Sequence, residues 1–174
     1  MTEREPVETT NLDQYGDTAL QWSRARDALA AKRDEVYPSF FLGTVTPEGR
    51  PHAAGVGAVW HDGDVYVVAG PGTRKARNLE ANPGCTVSVS LPGMDLVLEG
   101  EASRVVDTET LERLAAVYRD AGWPARVEGD ALTAPYTAPS GGPPPWNLYR
   151  INIHTAFGVA SAEPSGATRW RFTG

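Results

Sequence analysis

The sequence predicts a mainly β fold with inserted helices, a small closed or split β-barrel. Three observations carry that prediction. Six apolar, β-branched or aromatic runs lie between residues 40 and 160, clusters of Gly, Pro, Asn and Asp separate them, and two or three helical segments interrupt the series. An open sheet of six strands would expose two edges, which closure removes. A chain of 174 residues is long enough for one real core and short for two. Residues 1–16 are polar and turn-rich and read as an N-terminal arm, with residues 17–174 as the single barrel domain.

Taken in order, residues 17–33 place Leu20, Trp22, Ala25, Ala28 and Leu29 at helical spacing, with Asp17 as N-cap and Tyr37-Pro38 as the stop. Residues 40–45 form the first strand, the turn Pro47-Glu48-Gly49-Arg50 follows, and residues 52–60 form the second. A tight turn at His61-Asp62-Gly63-Asp64 leads into residues 65–69. The second strand is unusual in carrying Ala53, Ala54, Gly55, Gly57 and Ala58. Small residues there mark either close approach of a ligand or another backbone, or a barrel corner. A basic helix opens at Thr73, the turn Asn82-Pro83-Gly84 leads to the strand at 85–91, and a long strand follows at 95–106. Asp107 caps a helix with Leu111, Leu114, Ala115 and Tyr118 on one face, expected to pack on the barrel and carry no chemistry. Residues 126–147 are Gly/Pro-rich and read as either a functional or a merely mobile loop. The last strand covers residues 148–160.

The segment Gly70-Pro71-Gly72-Thr73-Arg74-Lys75-Ala76-Arg77-Asn78 carries the most chemistry. A helix start offers unpaired N–H groups and the positive end of the helix dipole, and three cations fall in its first turns, which suits a phosphate. An ordinary Thr73 cap with a solvated basic face is the alternative. The net charge of −6 and pI near 5.1 argue against a nucleic-acid partner, so a local basic cluster points to a small anionic ligand. No run is long enough to cross a bilayer and the N-terminus has no apolar signal core, so no membrane role and a cytoplasmic protein are expected. The lone Cys85 cannot form an internal disulfide or by itself a zinc site, and it reads as a buried structural thiol. His52, His61 and His154 are isolated, and neither a metal site nor a catalytic acid is expected among them.

The order of these elements resembles the split β-barrel flavin and deazaflavin binding proteins, which include pyridoxamine 5′-phosphate oxidase and the actinobacterial deazaflavin-dependent reductases. Residues 41–45 with 47–52, 65–67, 70–83 and 168–172 carry the resemblance, which spans roughly residues 36–172. It implies a homodimer with two cofactor sites at the subunit interface, and a cofactor phosphate held by Thr73, Arg74 and Lys75, with Arg77 and Asn78 in the same pattern. The small-residue strand then runs beside the cofactor ring. The candidate cofactor-binding set is Arg50, His52, Ala53, Gly55, Val56, Ala69, Gly70, Thr73, Arg74, Lys75, Arg77 and Asn78.

The resemblance leans to the deazaflavin coenzyme F420 over flavin mononucleotide (FMN), because Arg50, His52, Arg74, Lys75 and Arg77 could meet the carboxylates of its polyglutamate tail. The activity it implies is hydride transfer from reduced F420 to an electron-poor small-molecule acceptor, in a site shaped by Tyr136, Trp146 and Trp170. The cofactor would carry the chemistry, and the protein would supply position and a dry site. An FMN-dependent oxidase or reductase, or a non-catalytic carrier of cofactor or haem, are the alternatives.

Overall fold

The structure, a computed structural model, describes residues 4–31 and 38–173. In chain order the elements are β1 (Glu8–Asn11), α1 (Trp22–Ala30), β2 (Phe40–Val45), β3 (Pro51–Val56), β4 (Ala58–His61) and β5 (Asp64–Ala69). Then come α2 (Arg74–Ala81), β6 (Gly84–Leu91), β7 (Met94–Val105), α3 (Thr108–Asp120), β8 (Arg126–Glu128), β9 (Ala131–Thr133), β10 (Asn147–Ala160) and β11 (Ala167–Arg171).

The fold is mainly β, and its strands close a ring. β2 pairs with β6, β6 with β7, β7 with β10, β10 with β5 and β5 with β4, all antiparallel. β4 continues β3 across Gly57, and β3 pairs with β2, which completes the circuit. The ring therefore uses the six runs read from the sequence, with the second one broken where it changes partner. At the break Val68 N donates to Gly57 O at 3.3 Å, and a Cβ on Gly57 would meet only the Val68 side chain. Gly57 is thus a barrel corner, whereas Gly55 stands beside open space.

β10 is the spine. One edge pairs with β7 along nearly its full length; the other pairs with β5 from Asn147 to Ile151 and with β11 from Thr155 to Val159. Alternation on the ring strands sends Leu42, Val65, Val67, Val87, Leu96, Leu98, Ile151 and Ile153 into one core. A second core lies under α3, where Leu111, Leu114, Ala115 and Tyr118 cover Val59, Tyr66 and Leu148. Tyr66 and Val65 thus serve opposite faces of the same strand.

Three expectations need correction. α1 starts at Trp22, with Gln21 rather than Asp17 at its cap position and no side-chain cap. The preceding stretch is pinned to the sheet edge instead, because Asn11 Nδ2 donates to Asp17 O at 2.7 Å and Leu20 N to Thr168 Oγ1 at 2.8 Å. The expected end at Arg33 and the stop at Tyr37 lie outside the described residues. The strand count exceeds six: β1 and β11 extend the sheet edge, with Thr9 opposite Trp170. Residues 126–147 are not structureless, since β8 and β9 form a hairpin, and Leu132 and Trp146 exchange both backbone hydrogen bonds, at 2.9 and 2.7 Å.

Candidate functional site

α2 begins as its sequence requires. Thr73 is the N-cap, its Oγ1 accepting from Ala76 N at 3.4 Å and donating to Gly70 O at 2.7 Å. The helix buries Lys75, Ala76, Asn78 and Leu79, and leaves Arg74 and Arg77 in solvent. That is the one-sided pattern of a 3.6-residue period. Asn78 Nδ2 donates to Thr44 Oγ1 at 2.9 Å, which ties the helix to β2. Arg77 folds its guanidinium back onto Gly72 O.

Lys75 lines a cavity of about 400 Å³, and its residue surface is only 7% exposed. No Asp or Glu lines that cavity, and among the described residues no hydrogen bond or ion pair reaches the Lys75 ammonium. Burial holds its pKa below the ordinary lysine value, because removing water disfavours the charged form. A partly desolvated ammonium with no carboxylate beside it favours an anion as its partner.

One wall of the cavity is bare of side chains at its two glycines. Gly55, Val56 and Gly57 run along it, and a Cβ on Gly55 would have open space within 4 Å. Val68, Ala69 and Gly70 form the adjoining wall from the end of β5. The rest of the lining is largely aromatic: Tyr118, Trp123, Tyr136 and Trp146, together with Thr137, Ala138, Ser140 and Gly141. The roof is clasped to the motif, since a Cβ on Gly70 would collide with the Gly141 carbonyl and touch Trp146. The first glycine of the motif thus serves contact with the chain's own backbone.

Of the residues predicted from sequence, Gly55, Val56, Ala69, Gly70, Lys75, Tyr136 and Trp146 come together here. Thr73 and Asn78 serve α2 itself, while Arg74 and Arg77 stand on its exposed side. His52 and Ala53 line a separate cavity of about 670 Å³ with Thr44, Cys85, Glu99 and His154, and Arg50 is exposed on the preceding turn. Trp170 is not at the cavity; it is fully buried in the core, its ring centroid 5.4 Å from that of Trp22. Cys85 is buried and its thiol is pushed up to about 12, as fits a structural role.

Sequence reasoning missed Tyr118 and Trp123. α3 does reach the site: Tyr118 Oη lies 3.2 Å from Gly57 O and 3.1 Å from Tyr66 O and donates to these carbonyls, fixing the barrel corner that walls the cavity. Burial raises its pKa, so the hydroxyl stays protonated. Trp123 stacks edge-on to Tyr118 at 5.3 Å and lies 5.6 Å from Trp146, and its Nε1 donates to Tyr136 O at 2.8 Å. The signal in the sequence is a tryptophan directly after a helix, in Gly122-Trp123-Pro124. Among the described residues no group of three or more His, Cys, Asp or Glu could hold a metal, and no helix is long and apolar enough to cross a membrane.

The family model for pyridoxamine 5′-phosphate oxidase matches residues 26–166. No curated protein matches the chain. Solved structures that resemble it include a pyridoxamine 5′-phosphate oxidase-related, FMN-binding protein from Nostoc punctiforme, at 14% identity and TM-score 0.57, covering 87% of this chain and 96% of that one. A heme-binding protein from Mycobacterium smegmatis is 17% identical with TM-score 0.57, covering 82% of this chain and 55% of the other. General stress protein 26 from Bacillus anthracis is 18% identical with TM-score 0.52, covering 78% and 91%. At these identities the likeness is one of fold.

Proposed function

The chain belongs to the pyridoxamine 5′-phosphate oxidase family, a family of flavin-binding oxidoreductases, and we propose that it is an oxidoreductase using the deazaflavin F420 to reduce an electron-poor small molecule. The observation that carries this reading is Lys75, a largely covered side chain that lines the cavity and meets no counter-charge, beside the bare backbone of Gly55 and Gly57. The fit is chemical: a phosphate would neutralise the ammonium, and a flat ring can approach a strand that has no side chain to exclude it. When bound, reduced F420 supplies a hydride to the acceptor, which takes its accompanying proton from water.

The chain's own residues position the ligand and line its site. Lys75 would hold the phosphate, Tyr118 keeps the Gly57 corner in place, and Trp123, Tyr136 and Trp146 give the cavity an aromatic wall. The exposed Arg74 and Arg77 are where a polyglutamate tail would run. One observation favours a second reading, FMN: Lys75 is the one cation among the residues lining the cavity, which suffices for a phosphate without a tail. The protein would act as a homodimer, supported by an apolar outer sheet face. Phe41, Val97 and Phe157 are linked across that face by register, and Phe41 and Val159 are 50% and 55% exposed.

The absorbance spectrum of the purified protein, followed by titration with F420 and FMN, tests this. F420 should bind with a Kd of about 10 µM or tighter, and its reduced form, supplied in the assay, should be oxidised on addition of an acceptor. A yellow protein that binds FMN and ignores F420 would select the second reading, and tight binding with no turnover over a broad acceptor panel would make it a carrier.

A further inference from the structure

We propose that the aromatic roof makes the cavity selective for planar, conjugated acceptors, and that Trp123 is the residue that sets this specificity. The inference rests on the oxidoreductase reading for calling the ligand an acceptor. Its physical basis is the composition and rigidity of one wall.

Four aromatic side chains line that wall, and three are mutually packed: Tyr118 against Trp123 at 81°, and Trp123 against Trp146 at 55°. Tyr118 and Trp146 are buried and back the wall, so Trp123, half-buried, and Tyr136, exposed, are the rings that present surface to a third flat ring, which gains over an aliphatic group of equal size. Trp and Tyr faces are electron-rich, so they favour a ring drained of electron density. The wall is held in shape: Trp123 Nε1 is engaged by Tyr136 O, Trp146 Nε1 by Gly142 O at 3.2 Å, and Trp146 is hydrogen-bonded in both directions to Leu132. A preorganised slot discriminates shape better than a mobile one. Of the two tryptophans, Trp146 is part of the buried framework, whereas Trp123 is half-buried at the cavity, so its side chain can be changed with less risk to the fold.

The test uses the full-length protein and two probes with the same nitro group and equal carbon number, planar nitrobenzene and saturated nitrocyclohexane, with affinities measured by equilibrium dialysis. Nitrobenzene should bind at least about threefold more tightly. Trp123→Leu should abolish that preference and leave nitrocyclohexane within about twofold, while Trp123→Phe should restore most of it. Equal binding of the two probes, or an equal loss of both in Trp123→Leu, would overturn the proposal. F420 affinity is measured on the same samples. F420 binding without the preference overturns the roof's role alone, and the preference without F420 or FMN binding supports the roof while overturning the cofactor reading.

Discussion

At the scale of single residues, function and stability pull in opposite directions at Lys75. With no anion present, its lowered pKa means that the unfolded chain binds more protons than the folded one between the folded pKa and the ordinary lysine value of 10.5. Lys75 therefore contributes stability that rises with pH through that window, opposite in sign to the contributions of Cys85, Tyr66 and Tyr118, whose burial raises their pKa values; thermal melts of wild type and Lys75→Met against pH should show wild type gaining relative to the variant as pH rises. Anion affinity should show the reverse trend and fall once pH exceeds the lowered Lys75 pKa, at lower pH than an exposed lysine would dictate. The motif was legible because its cations sit at a helix start, but which cation turns inward was not read. Ala76 and Leu79 define the apolar face of α2, and helical phase puts Lys75 and Asn78 on that face and Arg74 and Arg77 off it. The periodicity was in the sequence, and the weight given to charge concealed it.

At the scale of elements, the site lies between two pieces of opposite legibility. β5 and α2 announce themselves by an apolar run followed by a capping Thr73. The roof does not, because Gly and Pro mask both its β8–β9 hairpin and the backbone pairing of Leu132 with Trp146. Its position depends on one non-local contact, that of Gly141 with Gly70, which no local pattern encodes. Gly70→Ala should push the roof off the motif, costing about 1–3 kcal/mol by chemical denaturation and weakening acceptor binding more than cofactor binding. Unchanged stability would mean that the roof does not rest there. α1 shows the complementary failure: Asp17 has the right residue type for a cap, but Asn11 and Thr168 hold that stretch extended.

At the scale of the whole molecule, six strand runs and an exposed-edge argument were enough for the barrel, because closure is the general solution for an antiparallel sheet of that size. The edge made by β1 and β11 was not legible, since it pairs the two ends of the chain, and the segment just before β1 is held by an ion cluster of residues far apart in sequence. Arg4 reaches buried Asp64 at 3.1 Å, Asn152 Oδ1 at 2.9 Å and Ile153 O at 2.9 Å, and Arg150 approaches Asp64 from the other side at 2.6 Å. Arg4→Ala should cost about 1–3 kcal/mol, because it strips one partner from a buried carboxylate and leaves Arg150 as the other. Phe41→Glu should shift the proposed dimer to monomer in sedimentation, since a charge there has no partner on an apolar face. The central claim is that Lys75 exists to hold an anionic cofactor, and F420 titration of wild type beside Lys75→Met tests it most directly. The account predicts at least about a 100-fold loss of affinity in a variant that melts at the same temperature as wild type or higher; equal affinity in the two proteins would contradict it.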